Sequence, residues 1–184
     1  MKNGDISAYN AVEKLRDHRS VTIRAIRPED KSLLREAFKG LDEYTIRLRF
    51  FGMKKELTDQ ELVQATEIDF DRNVALVSCV QEAQGERIIG VGRYITLERP
   101  SQPCTAEIAF LVEEDFHGQG IASSLLKHLV TIGRLRGVLR FEAEVLPANG
   151  AMLRVFERSG LSVETNASSD YIHVTLSLNE GEIL

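Results

Sequence analysis

The stretch FLVEEDFHGQGIA, residues 110–122, decides the fold, because an apolar strand ends there in a glycine turn that opens directly into a helix. Apolar residues then recur at helical spacing as far as Leu135. The first amides of a helix lack partners and carry partial positive charge, so this glycine turn (residues 117–122) is suited to an anion. Gly118 and Gly120 tolerate positive φ and leave room for a phosphate beside the backbone.

A glycine turn before a helix also occurs without any ligand, and this alternative stays open for the turn taken alone. Two common nucleotide motifs are excluded. The chain lacks the Lys-Ser/Thr that follows the last glycine of a P-loop, and it lacks the three-glycine spacing of a dinucleotide-binding turn. If the turn holds a phosphate, the ligand is therefore of another kind.

The turn resembles the Gln/Arg-x-x-Gly-x-Gly/Ala signature of the GNAT superfamily of N-acetyltransferases, in the order His117, Gly118, Gln119, Gly120, Ile121, Ala122. Downstream, the strand LRFEAEV (139–145), then Asn149 and the helix MLRVFERSGL (152–161), resemble the second half-motif of that family. Upstream, the segments IRAIRPEDKSLLREAFKGL, IRLRFFG and TEIDFDRNVALV, together with AEIAFLV, are similar to the catalytic domain of bacterial Pat-type protein lysine acetyltransferases.

This resemblance implies an α/β (α+β) GNAT fold: a central, mostly antiparallel mixed sheet with two splayed parallel strands, flanked by helices. It implies acetyl coenzyme A (acetyl-CoA) as co-substrate, with the pyrophosphate on residues 117–122 and the pantetheine between the splayed strands. The backbone of Leu111 and Val112 is expected to pair with the pantetheine, and Asn149 to bind its amide or cap the next helix. The cofactor-binding residues implied are Phe110, Leu111, Val112, His117, Gly118, Gln119, Gly120, Ile121, Ala122, Asn149 and Phe156.

Glu107 is the candidate catalytic base. A lysine amine is almost entirely protonated at neutral pH, so acyl transfer to it requires a proton acceptor. Glu107 is a lone carboxylate in the strand AEIAFLV, where burial would make it a better acceptor. In Pat-type enzymes the glutamate of the matching segment is thought to be the base, so the resemblance implies this role. The structural alternative is an ion pair with Arg93, and Glu142 and Glu144 rank second as bases.

The departing thiolate has no evident acid, because many relatives carry a tyrosine where this chain has Phe156. We expect the thiolate to leave unassisted or to take a proton from water. Tyr171 and Tyr94 are the alternative proton donors, although both are more simply explained as aromatic residues of the sheet. The missing tyrosine agrees with a lysine-bearing protein substrate, such as an acyl-CoA synthetase. A small-amine acetyltransferase and a catalytically silent coenzyme A sensor are the alternatives.

Composition limits the class of protein to which this chain can belong. The 184 residues, 43% of them hydrophobic, support one ordinary core, and the net charge of −5 argues against nucleic acid. No signal peptide or membrane-length apolar run is present, so we expect a cytoplasmic protein, as a monomer or homodimer. The histidines and cysteines lack metal-ligand spacing, and both Cys79 and Cys104 are expected to be buried thiols.

The domain is expected to span residues 21–178, after a leader (1–20) that is either a short packed helix or frayed, and before a loose tail (179–184). Helices are predicted after Pro28 and over TDQELVQAT, the latter from its Thr58 and Glu61 capping box. An antiparallel meander follows from Asn73, and DYIHVTLSL is expected to close the sheet.

Overall fold

The computed structural model describes residues 5–99 and 103–179, which form an eight-stranded sheet flanked by five α-helices. The strands are β1 (Asn10–Lys14), β2 (Ser20–Ala25), β3 (Asn73–Glu82), β4 (Gly85–Thr96), β5 (Thr105–Val112), β6 (Arg140–Val145), β7 (Ser162–Ala167) and β8 (Ile172–Ser177). The helices are α1 (Lys31–Lys39), α2 (Glu43–Phe50), α3 (Asp59–Thr66), α4 (Ile121–Leu135) and α5 (Gly150–Glu157).

The sheet has the order β1-β2-β3-β4-β5-β6-β8-β7, and β5–β6 is its parallel pair among otherwise antiparallel neighbours. These two strands pair from Thr105 with Arg140 to Glu107 with Glu142 and then separate, although β5 continues to Val112. Helix α4 makes the crossover between them, as a parallel connection requires. The expected mixed sheet with two splayed parallel strands is confirmed.

The two faces of the sheet carry different helices. Helices α4 and α5 cover the larger core, which includes Leu125, Leu129 and Phe156. Helices α1 and α3 cover the second, through Leu34 and Leu62. Because Ala106 and Ile108 belong to the larger core, strand alternation places the side chain of Glu107 on the opposite face.

The first residues described match the expected packed helix only in part, because a single 3₁₀ turn at Ile6–Ala8 buries Ile6 in the core. Residues 10–14 form β1, which pairs with β2 as the edge of the sheet, and Val12 is 68% exposed instead of lying on a buried helical stripe. Strand β1 is tied to α4 through His128, whose Nδ1 lies 2.5 Å from the Tyr9 hydroxyl and whose Nε2 lies 3.0 Å from Glu13 Oε1. The end of the expected tail, residues 180–184, lies outside the described residues.

Two further elements were not expected from the sequence. Helix α2 lacks an apolar stripe, since charged and apolar residues alternate irregularly along EYTIRLRF. Strand β7 is polar and mostly exposed, so it carries no apolar alternation. The expectation that the last segment closes the sheet is wrong, because β8 lies between β6 and β7 and the edge is β7.

The absence of side chains at Gly90 and Gly92 of β4 lets α4 lie close to the sheet. A Cβ at Gly90 would lie 2.8 Å from Ile121 Cγ2, and one at Gly92 would lie 3.0 Å from Leu129 Cδ1. Ile121 is the first residue of α4, so this contact fixes the height of the helix start above the sheet.

The two cysteines have different environments. Burial raises the pKa of the Cys79 thiol to about 12. Cys104 is exposed, because it precedes β5 instead of lying within it, so the expectation of a buried thiol is wrong there.

We expect the substitution Gly90→Ala to lower the free energy of unfolding by about 1–3 kcal/mol, because the added methyl group displaces Ile121. Urea unfolding followed by circular dichroism measures this. The matched control is Gly52→Ala, where a Cβ would meet nothing within 4 Å. Equal losses in the two variants would contradict close packing at Gly90.

We expect the folded protein near pH 8 to react with a thiol reagent at Cys104 alone, and a second equivalent to react on unfolding. The thiolate is the reactive form, and the raised pKa of Cys79 keeps its thiol neutral in the folded state. Mass spectrometry of the labelled protein identifies the site. Labelling of folded Cys104→Ser at the same rate as the parent would show that Cys79 is accessible.

Candidate active site

A cleft of about 500 Å³ opens where β5 and β6 separate. Helix α2 bounds it on one face of the sheet, and α5 and the start of α4 bound it on the other. Ten of the residues predicted for the site line this cleft: Glu107, Phe110, Leu111, Val112, His117, Gly118, Ile121, Ala122, Asn149 and Phe156. Gln119 and Gly120 line a smaller cavity of about 290 Å³ behind the glycine turn instead.

The glycine turn has the geometry of an anion site. Gly118 and Gly120 have φ of +74° and +94°, and a Cβ on either would meet nothing within 4 Å. Among the described residues, no protein acceptor takes the amides of residues 120–123, because the first bond of α4 runs from Ser124 N to Gly120 O. Free amides, the helix dipole and open space therefore coincide at one end of the cleft.

The β1–β2 hairpin braces this turn. Arg16 Nη1 donates to the Gly118 carbonyl over 2.8 Å, and the Asp17 amide donates to Gln119 Oε1 over 3.2 Å. The Gln119 side chain is thus directed to the hairpin. Arg16 also lines the cleft and adds positive charge beside the free amides. Sequence reasoning missed Arg16 because it placed residues 1–20 outside the domain.

The backbone of β5 alternates between β4 and the gap. The amide of Glu113 donates to Ile89 O and that of Leu97 to Thr105 O, so the odd-numbered residues pair with β4. Backbone groups of Phe110 and Val112 therefore face the gap, whereas those of Leu111 face β4. The expectation that Leu111 offers free ladder groups is wrong for this reason.

His117 occupies part of the gap. Its Nε2 lies 2.9 Å from the Val112 carbonyl, one of the acceptors left free by the separation of the strands. The imidazole thus ties the start of the glycine turn to the end of β5.

Glu107 lies at the point of separation, and its side chain is exposed to the cleft, so the expected burial is wrong. Helix α2 covers this face incompletely and leaves the carboxylate accessible. Within residues 5–99 and 103–179, Glu107 has no ion-pair partner within 4 Å, and the neighbouring Arg93 donates from Nε to Asn73 Oδ1 over 2.8 Å. The structural alternative, a Glu107–Arg93 ion pair, is therefore not found.

The competing carboxylates differ from Glu107. Glu142 is paired with Arg99, whose Nη1 lies 2.9 Å from a carboxylate oxygen. Glu144 is exposed and lines the cleft beyond the point of separation. Asn149 Oδ1 accepts from the Met152 amide over 3.2 Å and so caps α5.

None of the tyrosines considered as acids in the sequence lies in the cleft. Tyr94 is fully buried in the core, and Tyr171 lies in the turn before β8. Phe156 is buried against Phe110, with ring centroids 6.2 Å apart. The cleft contains Tyr44 instead, on the unpredicted helix α2, and its hydroxyl donates to the Ala148 carbonyl over 3.2 Å.

A family model described as the acetyltransferase (GNAT) family matches residues 42–161, most of the chain. The chain belongs to this family. An acetyltransferase of Pseudomonas aeruginosa is 33% identical over 141 residues, which cover 77% of this chain and 74% of that protein. The prediction of a GNAT N-acetyltransferase is confirmed.

Two solved structures have the same fold. The GNAT domain of S. lividans PAT superposes with a TM-score of 0.82 at 29% identity, covering 91% of this chain and 96% of that domain, which confirms the resemblance to the Pat type. The Salmonella typhimurium protein yncA, solved with its cofactor acetyl-CoA, superposes with a TM-score of 0.67 at 20% identity, covering 89% and 97% of the two chains. At that identity, the likeness to yncA shows the fold alone.

In the described part of this GNAT chain, no cluster of three or more His, Cys, Asp or Glu side chains has the geometry to hold a metal ion. None of the helices in that part combines the length and apolarity needed to cross a bilayer.

We expect Arg16→Gln to weaken acetyl-CoA binding by about tenfold, because it removes a cation and the bond that holds the Gly118 carbonyl. Isothermal titration calorimetry measures the effect. Lys14→Gln removes the same charge from the same hairpin but lies outside the cleft, so it controls for net charge. Equal weakening in the two variants would show that Arg16 acts only through long-range charge.

Proposed function

We propose that this GNAT protein transfers the acetyl group of acetyl-CoA to a lysine side chain of a protein, with Glu107 as the proton acceptor. The observation that carries the proposal is the position of Glu107. Among the described residues it has no ion-pair partner, and it is exposed at the point where β5 and β6 separate, in the same cleft as the glycine turn. A base placed there can reach an amine that enters from the side of α2.

The cofactor side of the cleft fits acetyl-CoA. The free amides of the glycine turn and Arg16 match a pyrophosphate, and the gap between β5 and β6 matches an extended pantetheine arm. The free backbone groups of Phe110 and Val112 suit the pantetheine amides, as in an added strand. The acetyl-CoA-bound structure of yncA, which shares the fold, supports this assignment.

On the acceptor side, Glu107 would take the proton of the lysine ammonium. The neutral nitrogen then bonds to the acetyl carbonyl carbon, the bond from that carbon to sulfur breaks, and coenzyme A leaves as its thiolate. Amides of β5 that face the gap are positioned to polarise the carbonyl. Because Phe156 carries no hydroxyl, the leaving thiolate either stays ionised or takes its proton from water.

A protein acceptor is favoured over a small amine by the rim of the cleft. Tyr44 and Phe51 line the cleft, on or directly after α2, and are 52% and 47% exposed. Exposed apolar side chains around an active-site mouth are typical of a surface that contacts another protein. The similarity to the GNAT domain of S. lividans PAT supports the same choice, and an acyl-CoA synthetase is the first acceptor to test.

We expect Glu107→Gln to lower kcat for a lysine-bearing protein by about 10²–10⁴-fold while acetyl-CoA binding persists, because the variant keeps the shape of the cleft and loses the proton acceptor. Thiol release measures turnover, and calorimetry measures binding. Glu164→Gln, an exposed glutamate on β7, is the matched control.

The acceptor panel for this experiment contains an acyl-CoA synthetase, polyamines and free amino acids. Turnover with small amines alone would replace the protein substrate by a small one. Tight acetyl-CoA binding without turnover of any acceptor would identify a sensor of coenzyme A acylation. Undiminished kcat in Glu107→Gln would remove Glu107 from the mechanism.

A further inference from the structure

Arg49 is a cation on the acceptor side of the cleft, the side bounded by α2 where the amine enters, and the proposed reaction does not use it. It lies on α2, lines the cleft and is partly buried, with its guanidinium carbon 5.1 Å from the centre of the Phe50 ring. Within the described ranges, no carboxylate lies within 4 Å of it. The helix ends one residue later, at Phe50, and its C-cap Phe51, in the left-handed conformation (φ +59°), lines the cleft as well.

A second guanidinium lies on the same face of the sheet. Arg93 pairs with Ala109 across β4 and β5, two residues from Glu107, so both side chains emerge toward α2. Burial lowers the pKa of Arg49, and the nearby Arg93 lowers it further, whereas Glu107 opposes the change. The acceptor side thus holds two cations and one carboxylate.

This charge balance disfavours an acceptor that brings only positive charge. A lysine ammonium in the cleft would meet the Glu107 carboxylate and the Arg49 guanidinium, while Arg93, on the same face of the sheet, is already bonded to Asn73. Arg49 has no such partner among the residues described. A carboxylate on the acceptor, close to its amine, would provide a second negative charge opposite the two guanidinium groups. A guanidinium recognises a carboxylate through two parallel hydrogen bonds.

We propose that Arg49 is a specificity-determining residue that binds a carboxylate of the acceptor, so that the preferred acceptor lysine has an acidic residue beside it. This inference rests on the proposed lysine acetyltransferase function. A free amino acid presents the same chemistry through its own carboxylate, and the experiment separates these two sources.

The test compares two lysine peptides that differ only in an Asp or an Asn next to the lysine, together with free amino acids. We expect kcat/KM of the parent protein to favour the Asp peptide by about tenfold, the usual effect of a charge-assisted hydrogen bond. Arg49→Gln should remove this preference, because the Asp peptide loses its partner and slows, whereas the Asn peptide, which no longer meets the Arg49 cation, does not slow. Arg49→Lys, which keeps the charge but loses the paired geometry, should retain part of it.

The matched control is Arg47→Gln, an exposed arginine of the same helix outside the cleft, which should keep the full preference. An equal loss with both peptides in Arg49→Gln, or an unchanged preference, would overturn the inference while the lysine acetyltransferase stands. Turnover of free amino acids alone, dependent on Arg49, would keep carboxylate recognition and overturn the protein acceptor. Turnover of no acceptor would overturn both proposals.

Discussion

The separation of β5 from β6 after Glu107 is the constraint on which the rest of the structure depends. Two parallel strands that part in the middle of a sheet leave backbone donors and acceptors without a ladder, and such groups are costly to bury unpaired. One of them, the Val112 carbonyl, is satisfied by His117. The remaining groups line a cleft instead of a core. The binding site is therefore the region of the sheet where β5 and β6 no longer form hydrogen bonds with each other.

The glycines have different tasks around this gap. Gly90 and Gly92 act by lacking volume, since they let α4 approach β4, whereas Gly118 and Gly120 act through positive φ and leave their amides open. The hairpin of β1 and β2 then holds the turn from behind through Arg16. The start of α4 is thus held in place by neighbours that form no hydrogen bonds with its amides, as preorganised anion binding requires.

The sequence was sufficient to predict an element wherever apolar periodicity and turn-forming residues coincide. The glycine turn, α4, the antiparallel meander and the splayed pair followed from apolar spacing together with the family resemblance. Two elements without an apolar pattern, α2 and β7, were missed, and β1 was wrongly predicted because its apolar residues have helical spacing. All three are held by tertiary contacts, which no local pattern encodes. The exposure of Glu107 depends on which element covers β5, and the orientation of the Leu111 backbone depends on the register of β5 with β4. Neither can be predicted from the sequence of one strand.

The missed helix α2 changes how the candidate base is understood. From the strand alone, Glu107 is a carboxylate whose strength as a base comes from burial. With α2 present, Glu107 is exposed, and its surroundings are set by Arg49 and Arg93. The two cations repel an incoming ammonium that the Glu107 carboxylate attracts, so the charges on this face oppose one another. A second negative charge on the acceptor resolves this conflict, because it offsets the repulsion.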